Sequence, residues 1–136
     1  MKKDILPVLL AGVAVLVASL VLLYGSISLF PKIMEEYYND VFRSSSFETD
    51  WLFYAHPFVL SAALKWFWER YKELVKGSAL LRALKVGLVY GIVAMLPVLW
   101  LTFSAINISV VMVLTWLMYG IIQATVAGMV FAKTSK

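Results

Sequence analysis

The chain has 136 residues, 62% of them hydrophobic, and its mean hydropathy of +0.88 is far above that of an ordinary soluble domain. The net charge of +4 comes from residues that flank apolar runs. This placement is typical of membrane topology signals, and we expect no nucleic-acid partner. The absence of cysteine excludes disulfide exchange, thiolate metal sites and cysteine nucleophiles.

Four apolar runs cover most of the chain, and we predict that each forms a helix. A helix of about 20 residues crosses the roughly 30 Å hydrocarbon core of a bilayer, and in lipid the backbone must satisfy its own hydrogen bonds. We therefore predict an all-α polytopic membrane protein, residues 1–136 forming one domain of four transmembrane helices in an antiparallel bundle. The predicted helices span residues 5–30, 51–72, 83–104 and 108–132.

The positive charges predict the orientation of the chain. With the N-terminus inside, only Lys32 and Arg43 of the 12 Lys and Arg residues fall on the outer side. Short cytoplasmic loops are enriched in Lys and Arg, so we predict an inner-membrane protein with both termini in the cytoplasm. The first run is longer than the roughly 7–15 apolar residues of a cleaved signal peptide, and we interpret it as a retained helix.

Residues 32–50 form the longest polar stretch, between the first two predicted helices. Apolar and aromatic side chains recur there at spacings of three and four, which predicts an amphipathic helix on the outer membrane surface. It can be a simple connection, a lid or a docking surface. The side chains in this pattern are Met34, Tyr37, Tyr38, Val41 and Phe42.

The second predicted helix contains His56, the only histidine of the chain. With Pro57 it is expected in the first turns, where a missing N–H is tolerated best. His56 can cap the start of the helix, or two copies can meet at an oligomer axis and bind heme or a metal. One chain alone offers at best a partial site, so we predict no cofactor, no metal and no catalytic residue.

The second helix then continues into charged residues and is expected to end near Gly77. Lys65 is expected to extend to the inner interface rather than to be buried. The positive residues around this turn either attract anionic lipid headgroups or only determine the topology. They are Lys65, Arg70, Lys72, Lys76, Arg82 and Lys85.

The third and fourth predicted helices each carry small residues four apart. Gly87 and Gly91 form a GxxxG motif, and Gly120, Ala124 and Gly128 form a second ladder. Small residues let helix backbones approach closely, so the ladders are predicted to pack within the chain or in a dimer. Pro97 is expected to kink the third helix, and the short turn at Asn107 makes the two helices antiparallel neighbours.

Uncharged polar residues are the main chemical feature of the predicted spans. Tyr90, Asn107 and Gln123 can line a pocket or pore, or they can hydrogen-bond between helices at about 0.6 kcal/mol each. No helix interior carries the carboxylate that proton-coupled exporters of this size need. This argues against such an exporter.

Several short motifs resemble those of small uncharacterised four-helix membrane proteins of bacteria. They are Ala55-His56-Pro57, Trp66-Phe67-Trp68, Lys76-Gly77 and the glycine ladder with Pro97, so the resemblance runs from Trp51 to the C-terminus. It implies the fold and no activity.

We expect a non-enzymatic membrane component or regulator that acts through helix–helix, lipid or partner contacts. The alternatives are a small homo-oligomeric channel or transporter and a cofactor protein that uses His56.

Overall fold

The computed structural model describes residues 2–134, without the side chains of residues 2–4 and 33. The described chain is all-helical, which confirms the all-α part of the predicted fold class. Its elements are α1 (Lys2–Leu29), α2 (Pro31–Glu35), a 3₁₀ turn (Glu36–Tyr38), α3 (Phe47–Tyr71), α4 (Ala79–Tyr90), a π-helical turn (Gly91–Met95), α5 (Leu96–Ala105) and α6 (Val110–Thr134).

Within residues 2–134, three helical segments are long and apolar enough to cross a membrane. They are Ile5–Leu29, Ala79–Ala105 and Val110–Thr134. The second of these joins α4, the π turn and α5 into one continuous helix. α3 has a similar length, 25 residues, but carries acidic residues in its first turn and Lys65, Glu69 and Arg70 near its end.

α3 begins earlier and ends earlier than the sequence predicts. Its start is fastened by Asp50, whose carboxylate accepts hydrogen bonds from the Ser46 backbone N–H at 3.2 Å and from Ser45 Oγ at 2.8 Å. Because the helix starts at Phe47, Pro57 lies in its interior rather than in its first turns. The helix ends at Tyr71, while Gly77 adopts a φ of 124° in the turn before α4, a conformation that favours glycine.

α6 lies at the centre of the packing and contacts α1, α3, α4 and α5. Its contacts with α4 are antiparallel, since Gly128 faces Ala83 while Gly87 faces Ile121. A Cβ added at Gly128 would lie 3.2 Å from the Ala83 Cα. Close backbone approach therefore requires small residues on both helices.

α1 packs against both α3 and α6. Gly12 of α1 lies against the Phe58 ring of α3, and a Cβ at Gly12 would come within 2.8 Å of that ring. On the other side, the rings of Trp68 and Phe131 join α3 to α6 with centroids 6.2 Å apart. The core cluster consists of Ala11, Val15, Leu60, Leu64, Trp68, Val86, Ala124, Ala127 and Phe131.

The helix disturbance expected from Pro97 lies just before that residue, as the π turn. The Leu96 N–H donates to Gly91 O, five residues back. The wider turn carries Met95 onto α6, where its side chain fills the space beside Gly120. π turns within α-helices frequently occur at functional sites.

The amphipathic pattern predicted between residues 32 and 50 corresponds to short helical elements rather than to one continuous helix. Regular structure in this stretch consists of α2, the 3₁₀ turn and the first turn of α3, with bends and extended chain between them. The reason is that side chains of this stretch bind the outer end of α6 instead of continuing a helix. We call residues 31–46 the outer segment.

Candidate functional site

A carboxylate fastens the outer segment to the start of α6. Glu36 accepts hydrogen bonds from the Ser109 backbone N–H and from Ser109 Oγ, the latter at 2.7 Å. Ser109 Oγ in turn accepts from the Met112 N–H at 3.1 Å. The negative charge lies at the positive end of the α6 macrodipole, so Glu36 and Ser109 together cap the helix across 73 residues of sequence.

Three aromatic rings hold the same segment against the side of α6. The Trp116 indole N–H donates to the Tyr37 hydroxyl, and the Phe42 ring packs edge-on against Trp116 with centroids 6.0 Å apart. Burial raises the pKa of Tyr37 above its ordinary value of 10.0, the Trp116 hydrogen bond lowers it in part, and the nearby Glu36 charge raises it further. Tyr37 is therefore neutral at physiological pH.

The outer segment closes one side of a cavity of about 450 Å³. Ligand pockets in proteins typically have volumes of about 300–1,000 Å³ and combine apolar walls with a few polar groups. This cavity has both features, and we call it the outer cavity. It is lined by Ser19, Leu23, Ile27, Met34, Tyr37, Tyr38, Phe53, Tyr119 and Gln123.

Hydrogen bonds between α1 and α6 form the inner end of the outer cavity. The Gln123 amide donates to Ser19 Oγ at 2.8 Å, and Ser19 Oγ donates to Val15 O at 2.7 Å. One turn nearer the outer segment, the Tyr119 hydroxyl donates to Leu22 O at 3.3 Å. Gln123 is thus a lining residue of the cavity and also joins two helices.

The other predicted polar residues lie elsewhere in the molecule. Tyr90 is half-buried and faces a groove between α3 and α4. Asn107 is exposed in the turn before α6, and His56 is exposed in the interior of α3 rather than at its start. Tyr90, Asn107 and Gln123 therefore do not meet at one site in a single chain. Among the described residues, no group of three His, Cys, Asp or Glu side chains lies close enough to hold a metal ion.

The groove at Tyr90 has a volume of about 280 Å³ and is almost wholly apolar. We call it the α3–α4 groove. Beside its lining residue Trp66, the Arg70 guanidinium stacks on the indole ring, with its central carbon 3.9 Å from the ring centroid. The groove is lined by Ala63, Leu64, Trp66, Phe67, Val86, Val89, Tyr90, Val93 and Ala94.

Lys65 does not extend to the surface as the sequence predicts. It is 7% exposed, and its ammonium pairs with the Glu69 carboxylate one turn further along α3. It also lies 5.8 Å from the centroid of the Phe131 ring. Charge pairing and a cation–π contact thus hold Lys65 between helices, and that expectation is wrong.

The remaining predicted headgroup residues gather around the turn between α3 and α4. Lys72 pairs with Glu69 at 2.9 Å, and Lys85 Nζ donates to Lys76 O at 2.9 Å. The Arg82 guanidinium lies 4.5 Å from the centroid of the Trp68 ring. These contacts place positive charge around the turn that joins α3 to α4.

The predicted packing glycines lie where α4 and the π turn meet α6. A Cβ at Gly87 would overlap the Thr125 hydroxyl and approach Ile121 O to 2.8 Å. A Cβ at Gly91 would lie 2.6 Å from Ile121 Cγ1. On α6, Gly120 faces Met95, and Ala124 is fully buried in the core.

Sequence reasoning missed the Glu36–Ser109 pair, the Trp116–Tyr37 contact and Ser19. Ser109 directly precedes Val110, the first residue of α6, and a serine at that position is a recognised helix-start signal. The other contacts follow from tertiary packing alone. No protein-family model, no curated protein and no solved structure matches this chain.

Proposed function

We propose that this chain is a non-enzymatic, four-span inner-membrane protein that acts through contacts with lipids, helices or a partner. Large apolar side chains are exposed along each of the three apolar helices, including Val13, Ile92 and Leu114. Lipid or partner helices would cover these faces. The main support for this proposal is the α3–α4 groove, an apolar site with positive charge at one end.

We infer that α3 is the fourth span. It packs beside α1 at Gly12–Phe58 and beside α6 at Trp68–Phe131. If α1 and α6 cross the bilayer, these contacts keep α3 at the same depth. The pairing of Lys65 with Glu69 reduces the cost of placing two charges near the membrane.

The most favoured contact is an anionic phospholipid in the α3–α4 groove. Val86 and Val93 both line the groove and are seven residues apart, which corresponds to about 10 Å of helix for an acyl chain to follow. Arg70, stacked on Trp66, would face the headgroup. Juxtamembrane basic residues attract anionic lipid at about 1 kcal/mol per charge.

Native mass spectrometry of the protein in nanodiscs tests this proposal. With equal amounts of phosphatidylglycerol and phosphatidylcholine, we expect preferential retention of phosphatidylglycerol. Arg70→Gln should weaken that retention about fivefold, which is the equivalent of about 1 kcal/mol. The same spectrum reports the oligomeric state and any polypeptide retained at fixed stoichiometry.

Arg43→Gln is the matched control, because it removes the same charge from the outer segment. It should leave lipid retention unchanged. Equal retention of the two lipids, or equal effects of the two arginine substitutions, would contradict a specific lipid contact at the groove.

A further inference from the structure

The outer cavity has a chemical character different from that of the α3–α4 groove. None of its described lining residues is Asp, Glu, Lys, Arg or His, so it offers no formal charge to a ligand. Its walls are apolar, while hydroxyl and amide groups lie at both ends. Such a cavity favours an uncharged ligand over an ion, because a buried charge needs a paired partner.

Hydrogen-bonding positions remain open at both ends of the cavity. The Tyr37 hydroxyl accepts from Trp116, and within the described chain its own hydrogen has no acceptor. At the other end, the amide hydrogens of Gln123 face Ser19 Oγ, which already donates to Val15 O. Because the Ser19 hydrogen is used for Val15 O, Ser19 Oγ can only accept from Gln123, so the amide nitrogen and not the amide oxygen lies on the Ser19 side. No described residue donates to Gln123 Oε1. At its two ends the cavity therefore offers at least one donor, the Tyr37 hydroxyl, and at least one acceptor, Gln123 Oε1.

The geometry separates these two positions along α6. Tyr37 is bonded to Trp116, which precedes Gln123 by seven residues, so the two ends lie about 10 Å apart along the helix. Leu23, Met34 and Phe53 line the cavity between them. The cavity thus has polar groups at its two ends and apolar side chains between them. A ligand that matches this arrangement has a polar group at each end of an apolar body.

The outer cavity is open to the surface of the chain, where three of its lining side chains are exposed. Ile27 is 48% exposed, Phe53 is 42% exposed and Tyr38 is 88% exposed. All three line the cavity. An uncharged molecule dissolved in the outer leaflet can therefore enter sideways without exposing its apolar body to water.

We propose that the outer cavity binds a neutral molecule with an acceptor group at one end and a donor group at the other, separated by about 10 Å of apolar body. Its acceptor group bonds the Tyr37 hydroxyl, and its donor group bonds Gln123 Oε1. Hydroxyl and carbonyl groups meet these requirements. This site is separate from the α3–α4 groove, with which it shares no described lining residue.

Fluorine NMR with 5-fluorotryptophan tests the site, using 1,8-octanediol as the probe. The chain has five tryptophans, and the Trp116 resonance is identified from its loss in Trp116→Phe. In nanodiscs we expect 1,8-octanediol to shift the Trp116 resonance saturably. 1-Octanol, with one polar group fewer, should bind about two- to tenfold more weakly, as expected for one net hydrogen bond.

Two variants test which protein group binds each end of the ligand. Tyr37→Phe removes the donor and Gln123→Leu removes the acceptor, so each should weaken 1,8-octanediol binding about two- to tenfold. Gln123→Leu should also abolish the advantage of the diol over the alcohol. Tyr54→Phe is the matched control, because Tyr54 is 53% exposed on α3 and does not line the cavity.

The unliganded Trp116 resonance of each variant shows whether the outer segment remains in place. Gln123→Leu should leave this resonance unchanged, which separates loss of the acceptor from loss of the fold. The proposal is overturned if the diol produces no saturable shift, if diol and alcohol bind equally, or if Tyr54→Phe weakens binding as much as Gln123→Leu. None of these results depends on phosphatidylglycerol retention.

Discussion

Neutralising Glu36 should release the outer segment from α6. The carboxylate accepts two hydrogen bonds from Ser109 at the start of the helix. In Glu36→Gln the amide NH₂ faces a donor, so one of the two bonds is lost and the other loses its charge. Hydrogen bonds to charged groups contribute about 1.5–3 kcal/mol, and a charge at a helix end about 0.3–1 kcal/mol.

Glu36 is only half-buried, so solvent screening reduces these contributions. We expect a net loss of about 1–3 kcal/mol in docking of the outer segment, or about five- to 150-fold in its opening equilibrium. Amide hydrogen exchange measured by mass spectrometry reports this equilibrium directly. The Asn39 and Phe42 amides, both hydrogen-bonded within the segment, should exchange faster by that factor.

Glu35→Gln is the control for Glu36→Gln. Glu35 is the neighbouring residue, it is exposed, and its substitution removes the same charge. It should leave exchange in the outer segment within a factor of about two, as expected for a surface substitution. Equal acceleration in the two variants would refute the specific role of the Glu36–Ser109 pair, and so would unchanged exchange in Glu36→Gln.

Two further predictions concern packing and ionisation. Gly87→Ala would bring a Cβ within 2.8 Å of Ile121 O and should destabilise the fold by about 1–3 kcal/mol in unfolding titrations. Gly25→Ala is the control, because a Cβ there would have nothing within 4 Å, and it should be neutral or stabilising by up to about 1 kcal/mol. Equal effects of the two substitutions would contradict the packing at Gly87. Because burial raises the pKa of Tyr37, the contribution of neutral Tyr37 to docking of the outer segment is fully present below pH 10 and is lost as pH rises above it. Hydrogen exchange across that range should show the loss, and Tyr37→Phe should remove this contribution.

The apolar runs were sufficient to predict the main helices, because in lipid the backbone permits few alternatives. The runs at residues 5–30, 83–104 and 108–132 correspond to helices Lys2–Leu29, Ala79–Ala105 and Val110–Thr134. The boundaries of the second predicted helix, which corresponds to α3, were harder to predict. Its start depends on the carboxylate of Asp50, which lies outside the apolar run.

The candidate sites depended on contacts between distant parts of the chain. The three- and four-residue spacings among Met34, Tyr37, Tyr38, Val41 and Phe42 also fit a helix. In the observed turn, Tyr37 and Phe42 instead pack beside Trp116, a contact that the sequence does not reveal. Lys65 was expected at the surface because a lone charge is costly inside a membrane. The Glu69 partner was visible in the sequence, but burial by Phe131 was not.

Single-cysteine labelling tests the central claim, that α3 crosses the membrane and the basic end lies in the cytoplasm. The sequence has no cysteine, so each introduced thiol is unique. Ser44 and Leu74 are both exposed and lie at opposite ends of α3. In intact spheroplasts, a membrane-impermeant maleimide should label Ser44→Cys, whereas Leu74→Cys should react only after permeabilisation. Labelling of both variants from outside would contradict a span by α3, and the reverse pattern would contradict the proposed orientation.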